Sequence, residues 1–526
     1  MGSVTTRPGA DATDQTKRAL DRERYKLAVR ISRALATPMT VRRTAGSSGA
    51  GVRGRERAET GSMAVVPWGD SSCGPVECRP WQYCHTALTA CSRHRPLSPR
   101  GMMARIVISS WGSYGDVNPY VGLALQLRAR GHTPVLAIPS YYRAAVEREG
   151  LEHASVGPDV EPGDTDLVGR IMHGRTGTEF LLRELLAPAV DRTYEQLRVA
   201  ACGADLLVTH PVTFAGPVLA EETGMPWVST VLAPASFMSE HDPFVMPPAP
   251  WLKRVERFSR WPTVLLMRLA HRITRPWMAP VDALRTRLGL PRAKHPVFEG
   301  QHSPTLVLAL FSHVLAEPQV DWPPNVRVTG HVFYDAGHGA SLAPALARFL
   351  DDGDPPLVFT LGSSAVMAAG RFYEESVEGA RRLGRRAVFL AGRERAASLA
   401  SSLPPGMLAV DQAPHSLVMP RAAAVVQQCG IGTLAQGLRA GRPMLAVPFA
   451  HDQPDNAWRA TRLGVARTIP AQRYSARRAE RELRYVLDDP AYVARAQAVG
   501  AQVREENGAA RACKAIEEVL RQAASR

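Results

Sequence analysis

Lysine is nearly missing from this chain of 526 residues: of 64 basic residues only 5 are Lys and 59 are Arg, set against 49 acidic residues for a formal net charge of +15. An excess of positive charge could serve nucleic acid or an anionic membrane, but so lopsided an Arg preference has the look of a GC-rich coding sequence rather than of a binding surface. Residues 1–101 hold 17 basic and 8 acidic residues, so +9 of the +15 lies there and the rest of the chain is mildly basic at most. Nucleic acid is therefore not an expected partner. Cysteine is scarce too, and the three beyond residue 101 (Cys202, Cys429, Cys513) are too scattered for a disulfide framework. No run of about 18 apolar residues occurs, which argues against a spanning helix. No uninterrupted apolar core precedes a small-residue cleavage site near the N-terminus, so the expected compartment is the cytoplasm.

Residues 1–101 lack sustained apolar periodicity and are rich in Arg, Gly, Ser and Thr, the composition of a disordered leader. Four cysteines lie there (Cys73, Cys78, Cys84, Cys91), near His85 and His94, but their spacings miss the close pairs of structural zinc sites. No metal is expected. Met102 and Met103 directly precede the first apolar strand, so the leader is expected to be an over-extended gene start.

From Met103 onward apolar strands alternate with helical patterns, which argues for parallel sheets with helices on both faces. Strands are predicted at Arg105 to Ser109, Thr133 to Ile138, and within DLLVTH, PWVSTVLA and PTLVLALFS. A helix is predicted from Pro119 to Arg130. The polar, Gly-rich stretch 334–344 suits a linker, after which the pattern restarts with PLVFTLGSS, RRAVFLAG and MLAVDQ. The expected organisation is 102–333, a linker at 334–344, and 345–526, with a final helical stretch between Pro490 and Arg521 returning to the first half.

The richest segment is VVQQCGIGTLAQGLRAGRPMLAVPFAHDQPDN, residues 425–456. A strand (Ala422 to Val426) enters a Gly-rich turn, then a helix that Gly441 would close, then a strand (Met444 to Val447) ending in AHDQPDN. Gly430 and Gly432 can adopt positive φ and let a ligand approach the backbone, and the start of the following helix favours an anion. Thr433 and Gln436 have capping-box spacing. A buried turn with glycines for packing alone is the plain alternative. Asp452 and Gln453, just past a strand, tip the balance, since open α/β sheets bind ligands at that edge.

This segment resembles the donor signature of the inverting, nucleotide-sugar-dependent glycosyltransferases of family 1, in the bacterial branch of sterol glucosyltransferase-like, rhamnosyltransferase-like and antibiotic enzymes. RIVISSWGSYGDVNPYVGLALQLRARGHTPVLAIP (Arg105 to Pro139) is similar to that branch's opening strand, loop and helix, and the likeness runs from Met103 nearly to the C-terminus. It implies a GT-B type fold, two Rossmann-like α/β domains facing each other across a cleft. It also implies a UDP- or dTDP-linked sugar as co-substrate, with no further cofactor.

Carried onto this chain, the resemblance puts the catalytic base at Asp116; the alternative is that Asp116 caps the helix expected near Pro119. Gly362, Ser363, Ser364, Gly430, Gly432 and Thr433 would surround the diphosphate, Asp452 and Gln453 would meet sugar hydroxyls, and His415 would contact the base through its backbone. Two His usually precede the glycines, but this chain has Gln427 and Gln428; an amide donates a hydrogen bond yet carries no charge. Gln412 stands where relatives often place an aromatic ring. On the acceptor side the candidates are Ser113, Asn118, Trp251 and Trp261. Residues 249–278 mix aromatics with Arg, as suits either an amphipathic surface touching lipid or a cover helix with snorkelling Arg stems. A lipid, sterol or polyketide alcohol is the expected acceptor, with peripheral membrane contact. One rival reading is a non-catalytic auxiliary or regulatory protein that kept this fold, motivated by the Gln pair. Another, a dinucleotide-dependent oxidoreductase, lacks the GxGxxG spacing in GSYGD.

Overall fold

A computed structural model describes residues 103–525 apart from 162, 247–249, 257 and 336–340. The leader expected over 1–101, with its four cysteines, and the middle of the expected linker lie outside the described residues. Among those described, thirteen short strands build two parallel sheets. In the first, β1 (Arg105–Ser109), β2 (Thr133–Ile138), β3 (Glu152–Ser155), β4 (Leu206–Thr209), β5 (Trp227–Val231), β6 (Leu306–Ala309) and β7 (Val326–Val328) lie in the order β3-β2-β1-β4-β5-β6-β7. In the second, β8 (Leu357–Thr360), β9 (Ala387–Leu390), β10 (Met407–Val410), β11 (Ala424–Gln427), β12 (Met444–Ala446) and β13 (Ala466–Thr468) lie in the order β10-β9-β8-β11-β12-β13. Every residue of β4, β5, β6, β8, β9 and β11 is buried, as parallel strands covered on both faces require.

Six helices matter for the site: α1 (Tyr114–Ala129), α2 (Trp261–Thr274), α3 (Ile431–Ala440), α4 (Gln453–Arg462), α5 (Pro490–Glu505) and α6 (Gly508–Ala524). α1 begins five residues before the expected start at Pro119. Ser113 and Asp116 close a capping box at its head, which fixes the helix entrance. Pro119 sits inside the helix and has no N–H to give the Gly115 carbonyl.

The single helical stretch expected between Pro490 and Arg521 is two helices, broken at Glu506–Asn507, where the Asn507 side chain accepts from Ala510 N–H at 3.2 Å. α5 crosses α3 through glycines: a Cβ on Gly500 would fall 2.7 Å from Gly441 Cα. At the break, Glu506 accepts from Ser312 Oγ at 2.7 Å, so the chain re-enters the first half, where Arg130 at the end of α1 pairs with Glu517 of α6 at 2.8 Å. No helix among the described residues is long and apolar enough to cross a membrane.

Candidate active site

In each sheet the strand order reverses once, between β1 and β4 and between β8 and β11. Loops leaving adjacent strands at such a reversal run in opposite directions and open a crevice at the carboxyl edge, where α/β folds bind ligands. Asp116 follows β1 and His210 follows β4; Gly362 follows β8 and Gln428 follows β11. The two crevices meet. A Cβ placed on Gly432 at the head of α3 would lie 3.2 Å from Gly115 Cα at the head of α1, so the first loop of one half rests directly on the glycine turn of the other.

On the first half, Ser113 N–H and Oγ both donate to Asp116 Oδ2, at 2.8 and 2.9 Å. The capping alternative therefore holds for one oxygen, and Ser113 is committed to that cap. Oδ1 is left facing His210 Nε2 at 3.8 Å, too far for a hydrogen bond. The His210 Nδ1 accepts from Val212 N–H at 3.3 Å, so the neutral ring carries its proton on Nε2, toward Asp116. Burial lowers the His210 pKa to about 3, and burial raises that of Asp116 despite the Ser113 hydrogen bonds. About 35 % of the Asp116 side chain is accessible, although the carboxyl lies deep between the two halves. Sequence reasoning missed His210, and the available signal was its place at the end of a strand.

On the second half, the positive φ expected of Gly430 and Gly432 falls elsewhere. Gly430 has φ −57°, whereas Cys429 has φ +63° and Gly362 +64°. Gly430 is the N-cap of α3, so the expected Thr433–Gln436 capping box does not form. Thr433 Oγ1 instead accepts from Gln428 Nε2 at 3.2 Å. A Cβ on Gly362 would fall 2.3 Å from that nitrogen, so only glycine leaves room there. Gly432 makes the contact between the halves. Gln428 Oε1 is buried without a hydrogen-bond partner. Because a Thr hydroxyl donates as well as accepts, a half-turn of the amide would keep the Thr433 bond and free a donor N–H. Ser363 and Ser364 lie in the short turn of helix Gly362–Ala365, with Ser363 exposed.

The polar hook is the head of α4. Asp452 is its N-cap, and Gln453 Oε1 accepts from Phe449 N–H at 2.9 Å and Ala450 N–H at 3.3 Å. Asn456 donates to the Cys429 carbonyl at 3.0 Å and to Asp452 Oδ2 at 2.6 Å, which ties hook to glycine turn, while its Oδ1 is buried and unpartnered. Asp452 is pushed up to about 7, by burial first and then by the negative charge of Asp116. Asp116 and Asp452 thus oppose each other across the cleft. His415 opens a helical turn at the edge of this half, its pKa lowered to about 4 by burial and partly restored by Asp335; Gln412 is exposed.

A cavity of about 1520 Å³ begins at His210 and runs along the first half past Phe237, Met267, His302 and Trp322. Phe237 stacks between Trp322, at 3.9 Å between ring centroids, and His302, at 5.5 Å. The expected acceptor residues Trp251 and Trp261 do not line it. Trp251, ahead of α2, is exposed, and Trp261 is 70 % exposed because the buried face of α2 is formed by Thr263 and Met267. Asn118 lies in the first turns of α1, partly buried. Among the described residues, no group of three or more His, Cys, Asp or Glu side chains could hold a metal ion.

Residues 386–521 match the family model described as Erythromycin biosynthesis protein CIII-like, C-terminal domain. The chain is 34 % identical over 434 residues to the O-mycaminosyltylonolide 6-deoxyallosyltransferase of Streptomyces fradiae, covering 79 % of this chain and 97 % of that one. It is 28 % identical over 433 residues to a sterol 3-beta-glucosyltransferase of Neurospora crassa, covering 78 % of this chain but 27 % of that longer protein. Similar solved structures are the glycosyltransferase of kitacinnamycin, at TM-score 0.57 and 23 % identity over 79 % of this chain and 99 % of that one. Glycosyltransferase VinC in complex with dTDP gives TM-score 0.57 and 18 % identity over 80 % and 100 %. Both have the fold built here from two parallel sheets. The chain belongs to the nucleotide-sugar-dependent glycosyltransferases of family 1, in the branch of antibiotic and sterol glycosyltransferases, and is a hexosyltransferase of GT-B fold.

Proposed function

We propose that the enzyme moves a hexose from a thymidine or uridine diphosphate sugar to a hydroxyl of an apolar alcohol the size of a macrolide or sterol, with Asp116 as the base. The observation that carries this reading is the opposition of Asp116 to the glycine turn, at the meeting of two switch-point crevices. A hydroxyl presented from the cavity at His210 meets Asp116 Oδ1, the oxygen the capping box leaves unused. Asp116 takes its proton as the oxygen attacks the anomeric carbon and the bond from that carbon to the diphosphate oxygen breaks, inverting the centre. The departing charge faces the N-terminus of α3, where backbone N–H groups and the helix dipole stabilise it. Gln428, turned as described, adds a neutral donor, and Asn456 Oδ1 and the Asp452 carboxyl offer acceptors to sugar hydroxyls. Gly362, Ser363, Ser364, Gly430 and Thr433 frame the diphosphate, and His415 borders the nucleobase.

The acceptor class is supported by the cavity, larger than the roughly 300–1,000 Å³ of most ligand pockets and aromatic along its floor. It is also supported by the names of the relatives, one acting on a tylonolide and one on sterols. The non-catalytic alternative finds no support among them. A thermal-shift screen tests the donor: thymidine or uridine diphosphate at 100 times its Kd should stabilise the fold by about 2.7 kcal/mol. A chain stabilised by neither would not be a nucleotide-sugar enzyme of this kind.

Peripheral contact with the inner face of a membrane belongs to the same proposal. Trp261, Leu265 and Arg272 fall at i, i+4 and i+11 on the exposed face of α2, with Arg268 at i+7 held by Glu240, an apolar stripe with a basic end suited to an anionic interface. Leu265, Arg268 and Arg272 also border the cavity. Co-sedimentation with vesicles containing anionic lipid should be strong for the native chain and weak for Trp261→Asp; equal binding by both would remove the membrane from the scheme.

A further inference from the structure

Helix α4 has two jobs on two faces. Its head holds the donor hook, Asp452 and Gln453, and Asn456 ties it to the glycine turn. Asp455, Arg459 and Arg462, at i, i+4 and i+7, turn instead toward the first half. Arg459 is fully buried; its Nε donates to Asp455 at 2.7 Å, and its Nη1 donates to Asp242 at 2.6 Å and to the Leu315 carbonyl at 3.1 Å. Asp455 in turn accepts from Val245 N–H at 2.9 Å, and Arg462 donates to the same Leu315 carbonyl at 3.3 Å. One guanidinium thus bridges a carboxylate of the donor half and a carboxylate of the acceptor half.

The segment it grips is part of the acceptor site. Phe237, Met238, Glu240 and His241, immediately before Asp242, line the cavity. That segment is also fastened from its own side, since Asp321 accepts from Ser239 Oγ at 2.7 Å and from Glu240 N–H at 2.6 Å, and Ser239 Oγ accepts from Asp242 N–H at 3.0 Å. The cavity wall is therefore held at one end by its own domain and at the other by the helix that carries the sugar hook.

We infer that Arg459 is a positioning residue that sets the acceptor wall in register with the bound donor sugar, through Asp455 within its helix and Asp242 across the cleft. Buried charges are costly unless paired and hydrogen-bonded, so the Arg459–Asp242 pair has a sharp geometric optimum. Movement of α4 on donor binding is transmitted to residues 237–242 rather than absorbed. Without the bridge the donor would still bind, but the acceptor hydroxyl would be misplaced and water would compete for the anomeric carbon. A misplacement of about 1 Å is enough to cost transfer heavily.

The inference rests on the donor-site reading, and the test separates the two. Asp242→Asn removes the charge of the more exposed partner and keeps an acceptor oxygen, while Arg459→Lys keeps the charge without the fork. The measurements are dTDP or UDP affinity, acceptor KM, and the ratio of donor hydrolysis to transfer. Asp242→Asn should raise acceptor KM and the hydrolysis ratio about tenfold, roughly 1.4 kcal/mol, with nucleotide affinity unchanged; Arg459→Lys should fall between it and the native chain. Unchanged KM and ratio would overturn the inference, as would a parallel loss of nucleotide affinity and both rates, which marks a merely structural role. Failure of the native chain to bind either nucleotide would overturn the donor site itself.

Discussion

Asp116→Asn is expected to slow sugar transfer by about 10²–10⁴-fold, the usual contribution of a positioned general base, while leaving nucleotide diphosphate affinity within twofold. Asn is a demanding control here, because its carbonyl oxygen can still accept from Ser113 N–H and so preserve the head of α1. The loss would therefore report proton transfer rather than misfolding. The native pH profile should agree. A base works ionised, and burial raises the Asp116 pKa, so activity should fall on acidification at a pH above the ordinary carboxylate range. Stopped assays of transfer across pH, with calorimetric binding of dTDP or UDP, check both statements. A variant that retains native turnover would remove Asp116 from the chemistry.

Gly362→Val is expected to weaken donor binding by at least tenfold, about 1.4 kcal/mol. Gly362 has φ +64°, where a β-branched residue is a genuine outlier, and strain of this kind costs of order 1–3 kcal/mol. Its Cβ would enter the space of Gln428 Nε2, and Thr433 Oγ1 lies 3.2 Å away. Gln428 would have to leave the crevice, taking with it the hydrogen bond to Thr433. Titration of nucleotide against the variant, with unfolding followed separately, distinguishes site damage from general destabilisation. Unchanged affinity with a lowered Tm would mean that the β8 loop does not reach the diphosphate.

Much of this fold was legible because parallel strands buried on both faces announce themselves as apolar runs, and β1, β2, β4, β5, β6, β8 and β11 do so. The strands missed are β3, β7 and β13, each at a sheet edge with one neighbour. β3 reads EHAS and β7 VRV, too short and too polar to show a period. The start of α1 was misplaced because Pro119 looks like a first-turn residue, whereas Ser113 with Asp116 three positions on was the stronger signal.

The site was legible in type and less so in detail. Glycines mark where a backbone needs room but do not say whether for ligand or for chain, and so the closeness of Gly432 to Gly115 was invisible while Cys429 took the left-handed conformation unannounced. His210 and Arg459 have no local motif, and Asn456 ends AHDQPDN without revealing its partner; each gains its meaning from a neighbour distant in sequence, Asp116, Asp242 and Cys429 respectively.

The join between the halves also bears on how such enzymes can be recombined. Where Gly115 meets Gly432 the surfaces are bare backbone, and a graft fits there provided it keeps both glycines, since a Cβ at Gly432 would lie 3.2 Å from Gly115 Cα. At Arg459 they are not: a hybrid carrying this donor half needs a carboxylate at the place of Asp242 and a carbonyl at that of Leu315, or the buried Nη1 loses both partners and Asp455 alone answers the guanidinium. Matching that buried ion pair, together with the pairs Arg130–Glu517 and Ser312–Glu506, is a criterion by which acceptor halves should be chosen for exchange.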